Sequence, residues 1–178
     1  MALIHHPVVD KNGQTIAAAV TALDLHDIAR VSRTFGLDAF YVVTPLEDQQ
    51  DLVRRILAHW VTGVGAQYNP DRRDALSLIR LATRLEAATA DMTDRWGAAP
   101  VTIATSARRS NNNLNFDDLR GVVSDHRPAL LLFGTAWGLA PEVMERADFR
   151  LDPIESGGGY NHLSVRSAVS IVLDRMCR

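Results

Sequence analysis

Cysteine is almost absent from this chain. Only Cys177 carries a thiol among its 178 residues, which excludes an internal disulfide and fits a reducing, cytoplasmic setting. Long apolar runs are missing as well. No segment approaches the roughly 20 residues that cross a bilayer, and Met1 to Pro7 lacks the basic-then-apolar pattern of a signal peptide. Neither a membrane span nor an export signal is therefore expected. Lysine is nearly missing too: Lys11 is the only one, and every other residue among the 19 basic ones is arginine. With a net charge of −2, the chain is not uniformly polycationic, so nucleic-acid contact has to be sought where arginines cluster. A GC-rich genome is the favoured explanation of the arginine bias, although the planar fork also suits phosphate. His5-His6 has no second histidine or cysteine cluster at zinc-like spacing, and no metal site is expected.

Hydrophobic residues make up 47% of the chain, enough for a substantial core, and the length suits one domain over residues 1–178. Strands are expected at Leu3 to Val8, Ala39 to Val43, Val101 to Ala104, Leu130 to Phe133 and Phe149 to Leu151. The apolar spacing of Thr15 to Phe35 predicts a helix ended by Gly36. Thr44-Pro45-Leu46-Glu47 reads as a capping box with proline at the first helical position, followed by an apolar face of Leu52, Val53, Ile56, Leu57 and Trp60. Leu78, Leu81, Leu85 and Met92 predict one long helix from Asn69-Pro70 to about Gly97. Asn115 is a candidate cap for a helix over Phe116 to Val123, and further helices are expected at Pro141 to Arg146 and Ser164 to Met176. Alternation of strand and helix predicts an α/β fold with a mainly parallel sheet.

The most informative residues lie near the carboxyl end. Ala129 to Phe133 is an apolar run delivered into Gly134-Thr135-Ala136-Trp137-Gly138-Leu139, whose glycines let backbone approach a ligand closely. Leu151-Asp152-Pro153-Ile154 follows, then Gly157 to Ser164 leading into the last helix. Strand ends and helix N-termini of this kind suit an adenosine-bearing or anionic ligand. Thr105-Ser106-Ala107-Arg108-Arg109-Ser110-Asn111-Asn112-Asn113 is a polar loop expected at the same sheet edge, with adjacent arginines suited to phosphate and base-edge contacts.

These blocks, together with Asp24-Leu25-His26-Asp27-Ile28-Ala29-Arg30 and Phe35-Gly36, resemble in order the SPOUT superfamily of S-adenosylmethionine-dependent RNA methyltransferases. The resemblance covers roughly Ile16 to Met176 and is best matched by a group of stand-alone RNA methyltransferase domains. It implies a C-terminal trefoil knot, a homodimer with each cofactor pocket close to the partner, and S-adenosylmethionine as cofactor. It carries Gly134, Thr135, Gly138, Ile154, Tyr160, Leu163 and Ser164 over as cofactor contacts, with Trp137 a possible cover. Arg30 matches an arginine of the ribose-methylating branch that acts on the acceptor. An arginine is too basic to remove a proton readily, so orientation and charge stabilisation are the expected roles. Arg108 and Arg109 are the expected RNA contacts. A similar Thr-Ser-Ala-Arg turn occurs at the cofactor site of some tRNA ribose methyltransferases of the superfamily.

Departures from the pattern are visible. Where ribose methyltransferases often read Ser-Leu-Asn-Val-Ser, this chain has His162-Leu163-Ser164-Val165-Arg166, and Asp24 replaces an asparagine. Read without the resemblance, Asp27 and Arg30 are a helical surface pair. The expected activity is methyl transfer to RNA, with tRNA the leading substrate and ribose or base both open. The alternatives are a non-catalytic RNA-binding module of the same fold and an unrelated doubly wound enzyme using a nucleotide.

Overall fold

The computed structural model describes residues 1–110, 113–124, 127–155 and 157–177. Six parallel strands form one sheet: β1 Ala2–Ile4, β4 Phe40–Val43, β5 Ile79–Ala82, β6 Val101–Ala104, β7 Ala129–Gly134 and β8 Phe149–Arg150. Their order across the sheet is β5-β4-β1-β7-β6-β8. β1 is central, with Leu3 opposite both Val42 of β4 and Phe133 of β7. The strands read as continuous apolar runs because both faces are covered.

Leu3, Phe40, Val42, Ile103, Leu131 and Phe133 face one way. They meet Leu25 and Ile28 of α1 (Ala22–Thr34), Leu76 of α4 (Pro70–Leu76), Leu119 of α6 (Phe116–Ser124) and Val169, Val172 and Leu173 of α8 (Val165–Met176). Ala2, Ile4, Tyr41, Val43, Leu130 and Leu132 face the other way. There Ala88 and Met92 of α5 (Leu85–Trp96) and Val143 of α7 (Pro141–Arg146) cover them. The chain leaves β1 toward β4 but leaves β7 toward β8, so the strand order switches direction between β1 and β7. Ligand crevices of parallel sheets open at the carboxyl ends of such strands.

Several elements differ from the sequence expectation. The long helix over Asn69 to Gly97 is divided into α4, β5 and α5. The open edge of β4 captures the segment between them: Phe40 N–H donates to Leu78 O and Thr44 N–H to Ala82 O, at 2.9 and 3.0 Å. Tertiary pairing overrides a spacing that also fits a helix. The strand expected over Leu3 to Val8 ends at Ile4. Val8–Val9 (β2) instead pairs antiparallel with Thr15–Ile16 (β3). Asp10 closes that hairpin by accepting the Asn12 and Gln14 N–H groups, with Gly13 at φ 79°.

Helix α1 consequently begins at Ala22, capped by the Thr21 hydroxyl, which accepts Asp24 N–H at 3.1 Å. Gly36 and Gly97, at φ 70° and 71°, end α1 and α5 as expected. Pro45 lies ahead of α2 (Glu47–Leu57) rather than at its first position, and Leu46 occupies the N-cap without a side-chain bond. α2 widens into a π-helical turn at Ala58–Thr62, followed by the short helix α3, Val64–Tyr68. Among the described residues no helix is long and apolar enough to cross a membrane.

Candidate active site

Loops from the carboxyl ends of β1, β6, β7 and β8 define the site. The glycine loop after β7 is fixed to the end of β1. Thr135 is buried, and both its N–H and its hydroxyl donate to Ile4 O, at 3.1 and 3.0 Å. The loop turns back on itself through Gly138 N–H to Thr135 O at 3.0 Å, with Ala136 at φ 52° and Gly138 at φ 111°. It is also tied to the hairpin: Trp137 N–H donates to Val9 O and Val9 N–H to Gly138 O. A β-carbon at Gly134 would lie 2.5 Å from Leu139 N and 2.7 Å from Gly138 C. That glycine permits the fold-back, whereas the side of Gly138 is open, with no atom within 4 Å. Trp137 is 65% exposed, a lid-like position rather than a buried one.

The loop after β6 and the loop after β8 run side by side. Thr105 N–H and hydroxyl both donate to Leu132 O. Leu114 N–H donates to Arg150 O and Asp152 N–H to Leu114 O, at 2.7 and 2.8 Å. Arg109 then bridges to Asp152 at 3.2 Å and Glu155 at 3.1 Å, strapping the two loops together with its side chain still 57% exposed. Arg108 is exposed and makes no ion pair among the described residues. The Asn161 amide donates to Ala107 O at 3.0 Å, drawing the segment before α8 onto the same loop. Asn111 and Asn112 lie outside the described residues.

Ile154 is half-buried against the core, while Tyr160 and Leu163 are 75% and 45% exposed. The Ser164 hydroxyl caps α8 by accepting Ser167 N–H at 3.3 Å. Of the residues expected at the cofactor, Gly134, Thr135 and Gly138 thus form one tied loop; Ile154, Tyr160, Leu163 and Ser164 form another that contacts the Thr105 segment.

Arg30 is not part of either loop. α1 turns Leu25, Ile28, Ala29 and Ser32 inward, leaving Arg30 exposed on the outer face. The expected pair with Asp27 does not form, because Asp27 and Asp24 are both taken by Arg166, each at 3.6 Å. The two departures from the SPOUT pattern, Asp24 and Arg166, therefore answer one another across α1 and α8. Among the described residues no carboxylate pairs with Arg30.

Sequence reasoning missed two histidines. His5, next after β1, is fully buried. Its pKa is pushed down by burial, against the pull of the Asp24 carboxylate and the Ala18 and Ala19 carbonyls. His26 is likewise pushed down, by burial first and then by Arg72, with Arg30 adding to it and Asp27 opposing. Only position at a strand end, for His5, and helical spacing from Arg30, for His26, could have marked them.

Over residues 1–178 the chain matches the model of a family described as SAM-dependent RNA methyltransferase. It is 49% identical over 175 residues to a protein of Oleidesulfovibrio alaskensis named tRNA (guanine-N(1)-)-methyltransferase, covering 98% of this chain and 41% of that protein. The chain thus spans less than half the length of that relative. An uncharacterized protein of Aquifex aeolicus is 37% identical over 177 residues, with 99% and 86% of the two chains covered. The SpoU methyltransferase AviRb of Streptomyces viridochromogenes, solved with the cofactor AdoMet, superposes with a TM-score of 0.56 at 17% identity, over 99% of this chain and 58% of that one.

Proposed function

The chain belongs to the family of S-adenosylmethionine-dependent RNA methyltransferases, and from that premise we propose that it transfers a methyl group to tRNA as a homodimer. The observation that carries the reading is that three loops open at one edge of the sheet: two are tied together by Asn161 on Ala107 and Arg109 on Asp152 and Glu155, and the third is tied by Thr135 to Ile4 at the end of β1. The residues suit the methyl donor. Gly138 leaves an open approach to main-chain groups, and Ile154, Tyr160 and Leu163 offer incompletely buried apolar surface for an adenine. When bound, the cofactor supplies a methyl group already activated by the positive charge on its sulfur.

This chain's own part is to hold and align. The main chain of Gly134, Thr135 and Gly138 and the segment Ile154 to Ser164 bind the adenosine. Arg109 keeps the loops closed on one another, and Arg108 contacts RNA phosphate. Arg30 orients the acceptor and stabilises developing charge there. Its outward position, on the same side of α1 as Leu23, which is 63% exposed two turns earlier, fits a dimer in which α1 faces the partner's pocket. The trefoil threading of α8 implied by the family resemblance belongs to the same proposal, as does a cytoplasmic site of action. The relative named for guanine N1 is more than twice as long as its matched part, so the proposal takes from that name the class of RNA and not the atom.

Isothermal titration with S-adenosylmethionine, followed by labelled-methyl transfer to total tRNA, tests the reading. Cofactor binding and incorporation of label are expected. Cofactor binding with no label in any RNA would identify a binding module instead, and preference for ATP or NAD would identify a different enzyme class.

A further inference from the structure

We infer that His26, Trp60 and Arg72 build a nucleobase-binding platform, which holds an unpaired nucleotide of the substrate RNA beside Arg30. The inference rests on the reading of the chain as an RNA methyltransferase, but on residues which that reading does not use. Trp60 stands in the π-helical turn, a local widening that recurs at functional sites. Its ring meets His26 edge-on at 5.5 Å and His59 at 4.9 Å between centroids. The Arg72 guanidinium lies over the ring at 4.4 Å.

Close packing makes this cluster a built feature. A β-carbon at Gly65 would lie 2.8 Å from Trp60 Cε3 and 2.9 Å from His59 O, so a glycine is required there. The Asn69 side chain accepts Arg72 N–H at 2.9 Å, starting α4 so that Arg72 falls in its first turn. α3, packed against both the turn and α4, ends on Tyr68, which is 87% exposed just before α4 begins.

The local charge is mixed, but two guanidiniums stand ready for phosphate. Asp74 pairs with Arg33 at 2.7 Å, Arg166 is shared between Asp24 and Asp27, and Asp71 opens α4, whereas Arg72 and Arg30 pair with no carboxylate among the described residues. His26 lies one helical turn before Arg30 on the same side of α1. Burial and the Arg72 charge keep its ring neutral near pH 7, able to meet a base edge by hydrogen bonding without adding a third charge. Its Nδ1 is buried without a partner, so the polar contact falls to Nε2. Stacking on aromatic rings and on guanidinium planes is how unpaired bases of RNA are gripped. A platform here carries its nucleotide to the face from which Arg30 projects.

The test measures binding of two fluorescein-labelled probes to the full chain by anisotropy: unmodified total tRNA and an unstructured 12-nucleotide single-stranded RNA. Because Trp60 also supports packing, Arg72→Gln and Tyr68→Ala carry the test, singly and together, with a thermal melt and an S-adenosylmethionine titration as controls for the fold. The double variant is expected to bind the single strand about tenfold more weakly, the scale of one lost stacking contact, with cofactor affinity within about twofold of the parent. Unchanged RNA affinity overturns the inference while leaving methyl transfer intact. So does a change confined to the sedimentation coefficient, which would make the patch an interface between copies. If the parent chain binds cofactor but neither holds nor methylates RNA, this inference falls together with the function it rests on.

Discussion

Arg30 presents a guanidinium that no carboxylate among the described residues takes up, on a helix face turned away from the core. A group so placed contributes little to folding, and its replacement isolates function. Arg30→Ala should leave S-adenosylmethionine affinity within about twofold and the melting temperature unchanged, while methyl transfer falls by about 100-fold or more. Activity surviving at parental levels would make Arg30 an ordinary surface residue. The glycines of the β7 loop make a contrasting pair. Gly134→Ala places a methyl group against Leu139 N and Gly138 C, backbone atoms that cannot swing aside. Gly138→Ala meets no atom within 4 Å but is held at φ 111°, a region that disfavours a side chain by about 1–3 kcal/mol. Urea unfolding should show Gly134→Ala to be the more destabilised, and titration should show both with weakened cofactor binding.

Among the elements, α1 and α8 are joined where the sequence looked irregular. Arg166 reaches Asp24 and Asp27 at 3.6 Å, with its side chain 32% exposed. Pairs of this distance and exposure are worth at most about 1 kcal/mol. They join α8 to α1 two residues past the Ser164 cap, close to the loop that precedes the helix. A double-mutant cycle between Asp24→Asn and Arg166→Ser should give a coupling of about 0.5 kcal/mol in stability. In cofactor affinity, the double variant should lie closer to the parent than Arg166→Ser alone, because the single change strands two carboxylates. Additive effects on both readouts would show that the residues act separately.

This partnership was not legible in the chain, since Asp24 and Arg166 are far apart and each reads singly as a departure. The same holds for the cluster at Trp60, assembled from α1, the π turn and α4. What could be read was local: the apolar run ending at Gly134, the glycines closing α1 and α5, and the start of α8 near Ser164. Leu78, Leu81, Leu85 and Met92 satisfy a helical period, and only the open edge of β4 decides that Ile79–Ala82 is a strand. The β2–β3 hairpin escaped for a related reason, being two residues per strand and fixed by Asp10 and Gly13 rather than by any periodicity.

For the molecule as a whole, burial of histidine beside the sheet's carboxyl edge ties stability to pH in a definite direction. His5 is held below its ordinary pKa by burial, and His26 by burial and Arg72. As pH falls through about 6.5 the unfolded chain takes up protons at these positions ahead of the folded chain. The unfolded state then binds more protons, so stability declines from about pH 7 toward pH 5, by at most about 1.4 kcal/mol per pH unit for each histidine. His26, being partly exposed, should contribute the smaller share.

A separate decline belongs to the carboxylates. Asp91, which accepts the Tyr41 hydroxyl and pairs with Arg95, and Asp148, which accepts Thr102 N–H and hydroxyl, are both held below the usual aspartate range. Their contribution is present above about pH 4 and is lost as pH drops through their folded pKa values. Urea midpoints from pH 8 to pH 3 should therefore fall in two stages. His5→Gln keeps a neutral polar group of similar reach and should make the upper stage shallower while sparing the lower; the rest of that stage belongs to His26 and to the Met1 amine, which burial lowers to about 5. Asp148→Asn should do the reverse, at the cost of stability near neutrality. An upper stage with the same slope in His5→Gln would assign it to groups other than the histidine that β1 delivers into the interior.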